Sequence, residues 1–269
     1  LLDGDASALT DLHDQIQTLS ARKQECLQNA GYPADYFQPP YTCPDCQDTG
    51  YVHGQKCHCF RQAEIALLYE QSNLKRMLEK ENFGTLSYSF FQGDELTSYR
   101  QAVEKCKNFC TNFKTSYQNL FFYGTVGTGK TFLTNCIAKE CIEQGCSVLY
   151  FSAASLFDLL ARNTFDYRAR EELSALCADL YSCDLLVIDD LGTETATTVT
   201  LSHFFTCLNE RLLRQKSVII STNLSLEDCR NRYQDRIFSR IASNFEFCKL
   251  TGPDIRMCKK VSAVSGPVR

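Results

Sequence analysis

The chain has 269 residues, 44% of them hydrophobic, with 18 Phe, 13 Tyr, no Trp and a formal net charge of −4. That length holds one large domain or a standard domain with a small appendage, and the acidic balance excludes wholesale wrapping of nucleic acid while leaving room for a local basic stripe. No apolar run approaches the roughly 18 to 20 residues that a membrane helix needs, and no charged-then-apolar segment opens the chain, so a soluble protein is expected.

From Leu9 to Leu27 apolar residues recur at Leu9, Leu12, Ile16, Leu19 and Leu27, which predicts a helix with a narrow apolar stripe. "GYPADYFQPP" ends it, because Gly31, Pro33 and the Pro39-Pro40 pair break helices. A polar segment follows, "YTCPDCQDTGYVHGQKCHCF", which carries Cys43, Cys46, Cys57 and Cys59. Cys43 and Cys46 form a C-x-x-C knuckle whose tight turn points both sulfurs to one side. Cys57 and Cys59 share one face of an extended segment while His58 points away. Gly50 and a His53-Gly54 turn allow a hairpin that returns the second pair to the first. Four thiolates would complete a closed tetrahedral Zn²⁺ site with a structural role, and His53 or His58 could stand in for one cysteine. Four reduced thiols in a loop are the alternative, but cysteines buried for packing sit in apolar text and this text is polar. A polar segment of about twenty residues cannot fold on its own core, whereas a bound metal supplies the missing free energy. The other twelve of the sixteen cysteines are scattered through apolar periodic segments and are expected to be small buried hydrophobes in a reducing compartment.

Arg61 to Lys80 is helical in period, and "ENFGTLSYSFFQGD" is a linker or an extended strap, so a small N-terminal adaptor over 1–89 and a larger domain over 90–269 are expected. Beyond Ser98 the pattern alternates between helical segments and short apolar strands: "NLFFYG", "SVLYFS", "DLLVIDD", "SVIISTN" and "FEFCKL". That alternation predicts an α/β fold, a parallel sheet with helices on both faces. "GTVGTGKT" comprises Gly124, Thr125, Val126, Gly127, Thr128, Gly129, Lys130 and Thr131, and it lies between a strand and a helix. It is the pattern of a phosphate-binding loop: glycines turn the backbone so that its N–H groups face inward, Lys130 reaches the β- and γ-phosphates, and the Thr131 hydroxyl meets Mg²⁺. The flanking elements favour this over a Gly-rich turn with a surface lysine. At the end of the apolar strand "DLLVIDD", Asp189 is placed to hold Mg²⁺ and Asp190 to orient and deprotonate an attacking water. Asn223, at the tip of "SVIISTN", suits a hydrogen bond to the γ-phosphate or that water, although a strand-end Asn is as often a helix cap.

Taken in order, Gly124 to Thr131, "LLVIDDLGTE", "STN", "DRIFSRI" and "GPDIR" resemble the AAA+ helicase-loader family, the bacterial DnaC and DnaI proteins and the related transposition ATPase IstB, over about Cys43 to Arg256. The resemblance implies an AAA+ P-loop domain whose nucleotide is ATP. It implies a cytoplasmic ATPase that binds a hexameric replicative helicase of the DnaB type, helps place it on single-stranded DNA at replication initiation or restart, and self-assembles when bound to ATP or helicase. Within it, Arg240 takes the place of an arginine finger acting on a neighbouring subunit's ATP, with Arg236 the second choice, and Arg256 that of a second sensor touching the nucleotide of its own chain. Asp190 stands where many such enzymes carry Glu, which implies slow, switch-like turnover. Arg162, Tyr167, Arg168 and Arg170 lie where the family contacts DNA; Glu171 and Glu172 follow, so a solvated face with internal ion pairs is an equal alternative. Loaders of the DnaI type carry a similar zinc-bearing N-terminal region that grips the helicase, which makes the cysteine segment a metal-stapled adaptor. Two rival readings share the motor: a transposition regulator of the IstB type, which usually lacks the cysteine module, and a non-hydrolysing, ATP-bound adaptor for nucleic acid.

Overall fold

Residues 6–33, 36, 41–57, 59–60, 63, 74–162 and 177–264 are described by the structure, a computed structural model. The chain divides into two compact units, 1–55 and 56–269.

In the first unit the apolar period becomes helix α1 (Ala6–Asn29). Gly31 stops it: at φ 73 its N–H donates to the carbonyl of Gln28, and the N–H of Tyr32 donates to that of Leu27. This pair of bonds satisfies carbonyls that the helix end leaves without partners. Leu12, Ile16 and Leu19 are exposed on α1, whereas Leu27 is buried. Strands β1 (Tyr51–Val52) and β2 (Gln55–Lys56) pair around His53 and Gly54. Both turn residues have positive φ, 50 and 76, as the tight two-residue hairpin turn requires.

The second unit is built on five parallel strands: β3 (Leu120–Gly124), β4 (Val148–Ser152), β5 (Leu185–Leu191), β6 (Ser217–Thr222) and β7 (Glu246–Leu250). Their order across the sheet is β4-β5-β6-β3-β7, and all four neighbouring pairs are parallel. Each of the five apolar segments read from the sequence is a strand of this sheet. The inner strands are apolar without alternation because both sheet faces are covered. Leu120, Phe122, Leu185, Val187 and Ile219 pack on one side, and Phe121, Leu186, Ile188, Val218 and Ile220 on the other.

The first face carries α2 (Leu74–Lys80), α3 (Gly93–Asn112) and α4 (Lys130–Glu143), and the second carries α5 (Ala153–Arg162), α6 (Thr198–Leu213) and α7 (Leu226–Asn244). A last helix, α8 (Ile255–Val264), follows β7. Between α2 and α3 the segment read as a linker forms a short 3₁₀ turn (Phe83–Thr85) capped by Asn82, and α3 begins inside that segment at Gly93. Phe91 from it stacks on Tyr99 of α3 with ring centroids 4.1 Å apart, so this segment is a strap bound to the core. Nine of the twelve dispersed cysteines are buried as expected; Cys26 is exposed, and Cys177 and Cys258 are half-buried. Among the described residues no helix is long and apolar enough to cross a membrane.

Arg211 is fully buried in α6, and its guanidinium is held by main-chain carbonyls and the Cys183 sulfur. Its guanidinium donates to the carbonyls of Leu180 (2.5 Å) and Ser217 (2.7 Å) and, more weakly, of Asp184 (3.4 Å), tying the segment before β5 to the start of β6. Replacing it leaves buried acceptors without donors, and a lysine lacks the planar fork that reaches several at once. Arg211→Met is therefore expected to cost about 3 kcal/mol in urea unfolding, and Arg211→Lys to recover less than half of that; an unchanged midpoint would contradict this assignment.

Candidate functional site

The sheet order puts β6 between β3 and β5, so the loop after β3 and the acidic end of β5 stand either side of the tip of β6. Ligands of open α/β sheets bind at such carboxyl ends, where successive connections part in opposite directions. A cleft there is lined by Val126, Gly127, Gly129, Lys130 and Thr131 of the loop, together with Asp190, Asn223 and Arg256.

The loop keeps its shape because three glycines occupy conformations or spaces that other residues cannot. Gly124 has φ 137 and a Cβ there would lie 2.0 Å from the Leu250 carbonyl oxygen; Gly127 has φ 79 and a Cβ would lie 2.2 Å from the Asp254 carboxylate. Gly129, at φ 95, caps α4, whose N-terminus supplies positive dipole to the cleft. Thr128 is fully buried and its hydroxyl donates to the Thr125 carbonyl (2.9 Å). Lys130 is 4% exposed, and its ammonium donates to the carbonyls of Gly124 (2.8 Å) and Thr125 (2.6 Å). Burial pushes its pKa down to about 8, against the charges of Asp190 and Asp189, and Arg256 adds to the lowering.

Asp189 is buried at the end of β5 and collects two donors, the Ser221 hydroxyl and the Thr131 hydroxyl at 3.3 Å, and the Tyr150 hydroxyl nearby pairs with Thr134 Oγ1 (3.2 Å). Burial raises its pKa, the Ser221 hydrogen bond opposes this, and the charge of Asp190 adds to the rise. Thr131 and Asp189 thus form an oxygen donor pair suited to Mg²⁺, whose charge favours the ionised carboxylate.

The next residue is turned differently. Between Ile188 and Leu191 the β5–β6 register slips by one residue, and Asp190 has φ 54. This is a bulge: one extra residue re-aims the side chain beside it, and Asp tolerates the left-handed conformation better than most. The Asp190 N–H donates to the Ser221 hydroxyl (2.9 Å), and Asn223 Nδ2 donates to Asp190 Oδ1 (3.3 Å). Lys130, Asp190 and Asn223 therefore line one cleft. Ser221 and Tyr150 escaped the sequence reading because nothing in "SVIISTN" or "SVLYFS" marks them; the sheet alone places them around Asp189. Glu81, which also lines the cleft and accepts from Asn135 Nδ2 (2.6 Å), was equally invisible, since it lies forty-odd residues before the loop.

Arg256 reaches the cleft because Ile255 N–H donates to the Gly127 carbonyl (2.9 Å), fastening the start of α8 onto the loop. Arg240 does not line the cleft. It lies 4.5 Å above the Phe205 ring, with Arg236 at 4.9 Å from the same ring, and its Nε donates to Asn209 Oδ1 (3.0 Å). Arg162 ends α5; Tyr167, Arg168 and Arg170 lie outside the described residues.

In the cysteine segment the Asp48 carboxylate accepts from the N–H groups of Cys43 (2.8 Å) and Thr42 (3.0 Å), and Gln47 and Asp48 both have positive φ. The knuckle is thus a fixed turn. The sulfurs of Cys43, Cys46, Cys57 and Cys59 all lie within 4.8 Å of one another. Four sulfurs around one Zn²⁺ stand about 3.8 Å apart, so the cluster could hold zinc. His53 is not part of the cluster, and His58 lies outside the described residues.

Residues 70–260 match the family model of IstB-like ATP binding proteins. The chromosomal replication initiator DnaA of Aquifex aeolicus is 28% identical over 192 residues, 70% of this chain and 45% of its own length. The replicative helicase loader DnaC of Escherichia coli is 26% identical over 147 residues, 55% of this chain and 59% of that protein. The chain thus spans about half the length of these curated relatives. A crystal structure of the DnaC helicase loader superimposes with a TM-score of 0.55 at 22% identity, covering 65% of this chain and 99% of that one, which shows the AAA+ fold. The chain belongs to the family of IstB-like ATP-binding proteins.

A triphosphate favours the charged form of Lys130, so binding raises a pKa that starts at about 8. ATP affinity should therefore hold steady at lower pH and weaken as pH rises past about 8, and binding at pH 8.5 should take up protons, so that calorimetric enthalpies differ between buffers of different ionisation enthalpy. Buffer-independent enthalpies at that pH would contradict a Lys130 that gains its proton on binding.

Proposed function

We propose that this IstB-like ATP-binding protein is an assembly-dependent ATPase, seated in residues 90–269, that loads a hexameric replicative helicase of the DnaB type onto single-stranded DNA by way of an adaptor, residues 1–89. The observation that carries this reading is a cleft furnished with Lys130, Asp190 and Asn223 but without Arg240, whose guanidinium rests instead on Phe205 and Asn209.

In this mechanism Lys130 leaves the loop carbonyls for the β- and γ-phosphates, Thr131 and Asp189 would hold a magnesium ion, and Asp190 takes the proton of the attacking water that Asn223 orients. Magnesium, when bound, neutralises phosphate charge. Arg256 touches the nucleotide of its own chain as a second sensor. Arg240 reaches the nucleotide of an adjacent copy, so turnover needs assembly, and its planar charge stabilises the transition state. The short side chain of Asp190 keeps hydrolysis slow, as suits a switch.

The helicase reading is supported by the likeness to a protein named a replicative helicase loader. In the adaptor, exposed Leu12, Ile16 and Leu19 on α1 offer a stripe for a partner, and zinc on the four cysteines supplies a structural staple without chemistry. Contacts to single-stranded DNA are assigned to Arg162, Tyr167, Arg168 and Arg170, and the protein to the cytoplasm. The family match itself favours a second reading, an ATPase of transposition, in which the partner is a transposase.

Capture experiments with ATP, ADP and no nucleotide separate these. Retention of a DnaB-type hexamer with ATP but not ADP is expected; retention of a transposase alone would transfer the assignment to the second reading. Asp190→Asn should keep ATP binding while lowering turnover by about 100-fold or more; unaltered turnover would remove Asp190 from the chemistry. Metal analysis should find one zinc per chain. Chelation, or Cys43→Ser with Cys46→Ser, should release that zinc and abolish helicase capture while ATP affinity stays within about twofold; a zinc-free native protein would end the staple reading.

A further inference from the structure

One buried carboxylate joins the acidic end of β5 to the helix that bears Arg240. Glu194 lies four residues beyond Asp190 and its side chain is 0% exposed. Its Oε2 accepts from the Gly192 N–H (2.7 Å); its Oε1 accepts from the Tyr233 hydroxyl (2.5 Å) and from Arg232 Nε (3.3 Å). Arg232 Nη2 also donates to the Glu194 carbonyl oxygen (2.5 Å). A carboxylate removed this far from water persists only while such donors hold it, and its loss would strand both Arg232 and Tyr233.

The anchored loop is itself tied to the catalytic bulge. Thr193 Oγ1 donates to the Asp190 carbonyl (2.9 Å), and Thr222 Oγ1 to that of Leu191 (2.5 Å). At the other end, the residue after Tyr233 breaks α7: Gln234 has φ 64 and ψ 155, a conformation that belongs almost wholly to glycine. Strain of this kind survives where the surroundings impose it, and the clamp on Arg232 and Tyr233 ends at this position. Past the break, the second half of α7 carries Arg236 and Arg240 over Phe205.

We propose that Glu194 is a positioning residue: it sets the half of α7 beyond Gln234 against the Asp190 loop, so that a chain's own nucleotide site governs whether its Arg240 is presented to a neighbouring copy. This rests on the reading of Arg240 as a group that acts on the neighbour's ATP. A packing role alone would make Glu194 equally important to every function of its chain. A positioning role confines the effect to the chain that donates Arg240.

Mixed assemblies separate the two. A donor chain, Asp190→Asn, binds ATP without cleaving it and supplies Arg240; an acceptor chain, Arg240→Ala, keeps Asp190 and lacks the donated charge. Each alone should be inactive, and mixing should restore turnover. Adding Glu194→Gln to the donor should lower the restored kcat by about tenfold with KM for ATP unchanged, whereas the same substitution in the acceptor should change it by less than twofold. Tyr233→Phe in the donor, a smaller change that leaves Glu194 charged, should give a smaller loss in the same arm. Thermal unfolding of each variant, within a few degrees of the parent, shows that the chains remain folded. Equal losses in both arms, or none in the donor arm, would overturn the role of Glu194 while leaving trans action of Arg240 standing. Failure of the parent mixture to regain turnover would overturn trans action, and the proposal with it.

Discussion

Everything at the nucleotide cleft depends on β6 lying between β3 and β5. Successive right-handed crossovers would by themselves lay the strands down in chain order. Here the chain leaves β3, runs to the far edge at β4, and returns, so that the strand of Ser221 and Asn223 separates the lysine from the acidic pair. That arrangement opens a crevice above the sheet and lines it with polar tips from three strands. It also makes the crevice a long-range construction, since Lys130, Asp190 and Asn223 are 93 residues apart in sequence from first to last.

Within that crevice the chemistry is divided by hydrogen bonding rather than by residue type. Asp189 and Asp190 are chemically identical neighbours. Asp189 accepts from the hydroxyls of Thr131 and Ser221, while the bulge turns Asp190 toward Asn223 and the open cleft. One extra residue in one strand produces the difference, at the expense of a left-handed backbone. The buried Lys130 shows the same logic from the other side: its charge is held by loop carbonyls in a place where charge is disfavoured, which leaves it responsive to an arriving phosphate.

Charge is handled differently away from the cleft. Arg211 is satisfied almost wholly by main-chain carbonyls, Glu194 by a hydroxyl, an N–H and a guanidinium, and Arg240 by an aromatic face and an amide. The first two lock loops to the core. The third holds a half-buried guanidinium in a fixed pose.

The residue order determined more of this protein than its distance from relatives would suggest. Five strands, the helix at 6–29, the His53-Gly54 hairpin and the phosphate-binding loop were all legible, because each depends on local terms: a hydrophobic period, a helix-breaking residue, a backbone conformation open mainly to glycine. The pairing of Cys43 and Cys46 with Cys57 and Cys59 was legible for the same reason, since a short turn returns the chain within sixteen residues. What only the tertiary structure decided is which distant groups meet. The hydroxyls around Asp189, the bulge that separates its role from that of Asp190, Glu81 at the cleft, and the clamp of Glu194 on Arg232 and Tyr233 join positions 31 to 58 residues apart. Such contacts follow from strand order and register, and no local preference of the chain encodes either.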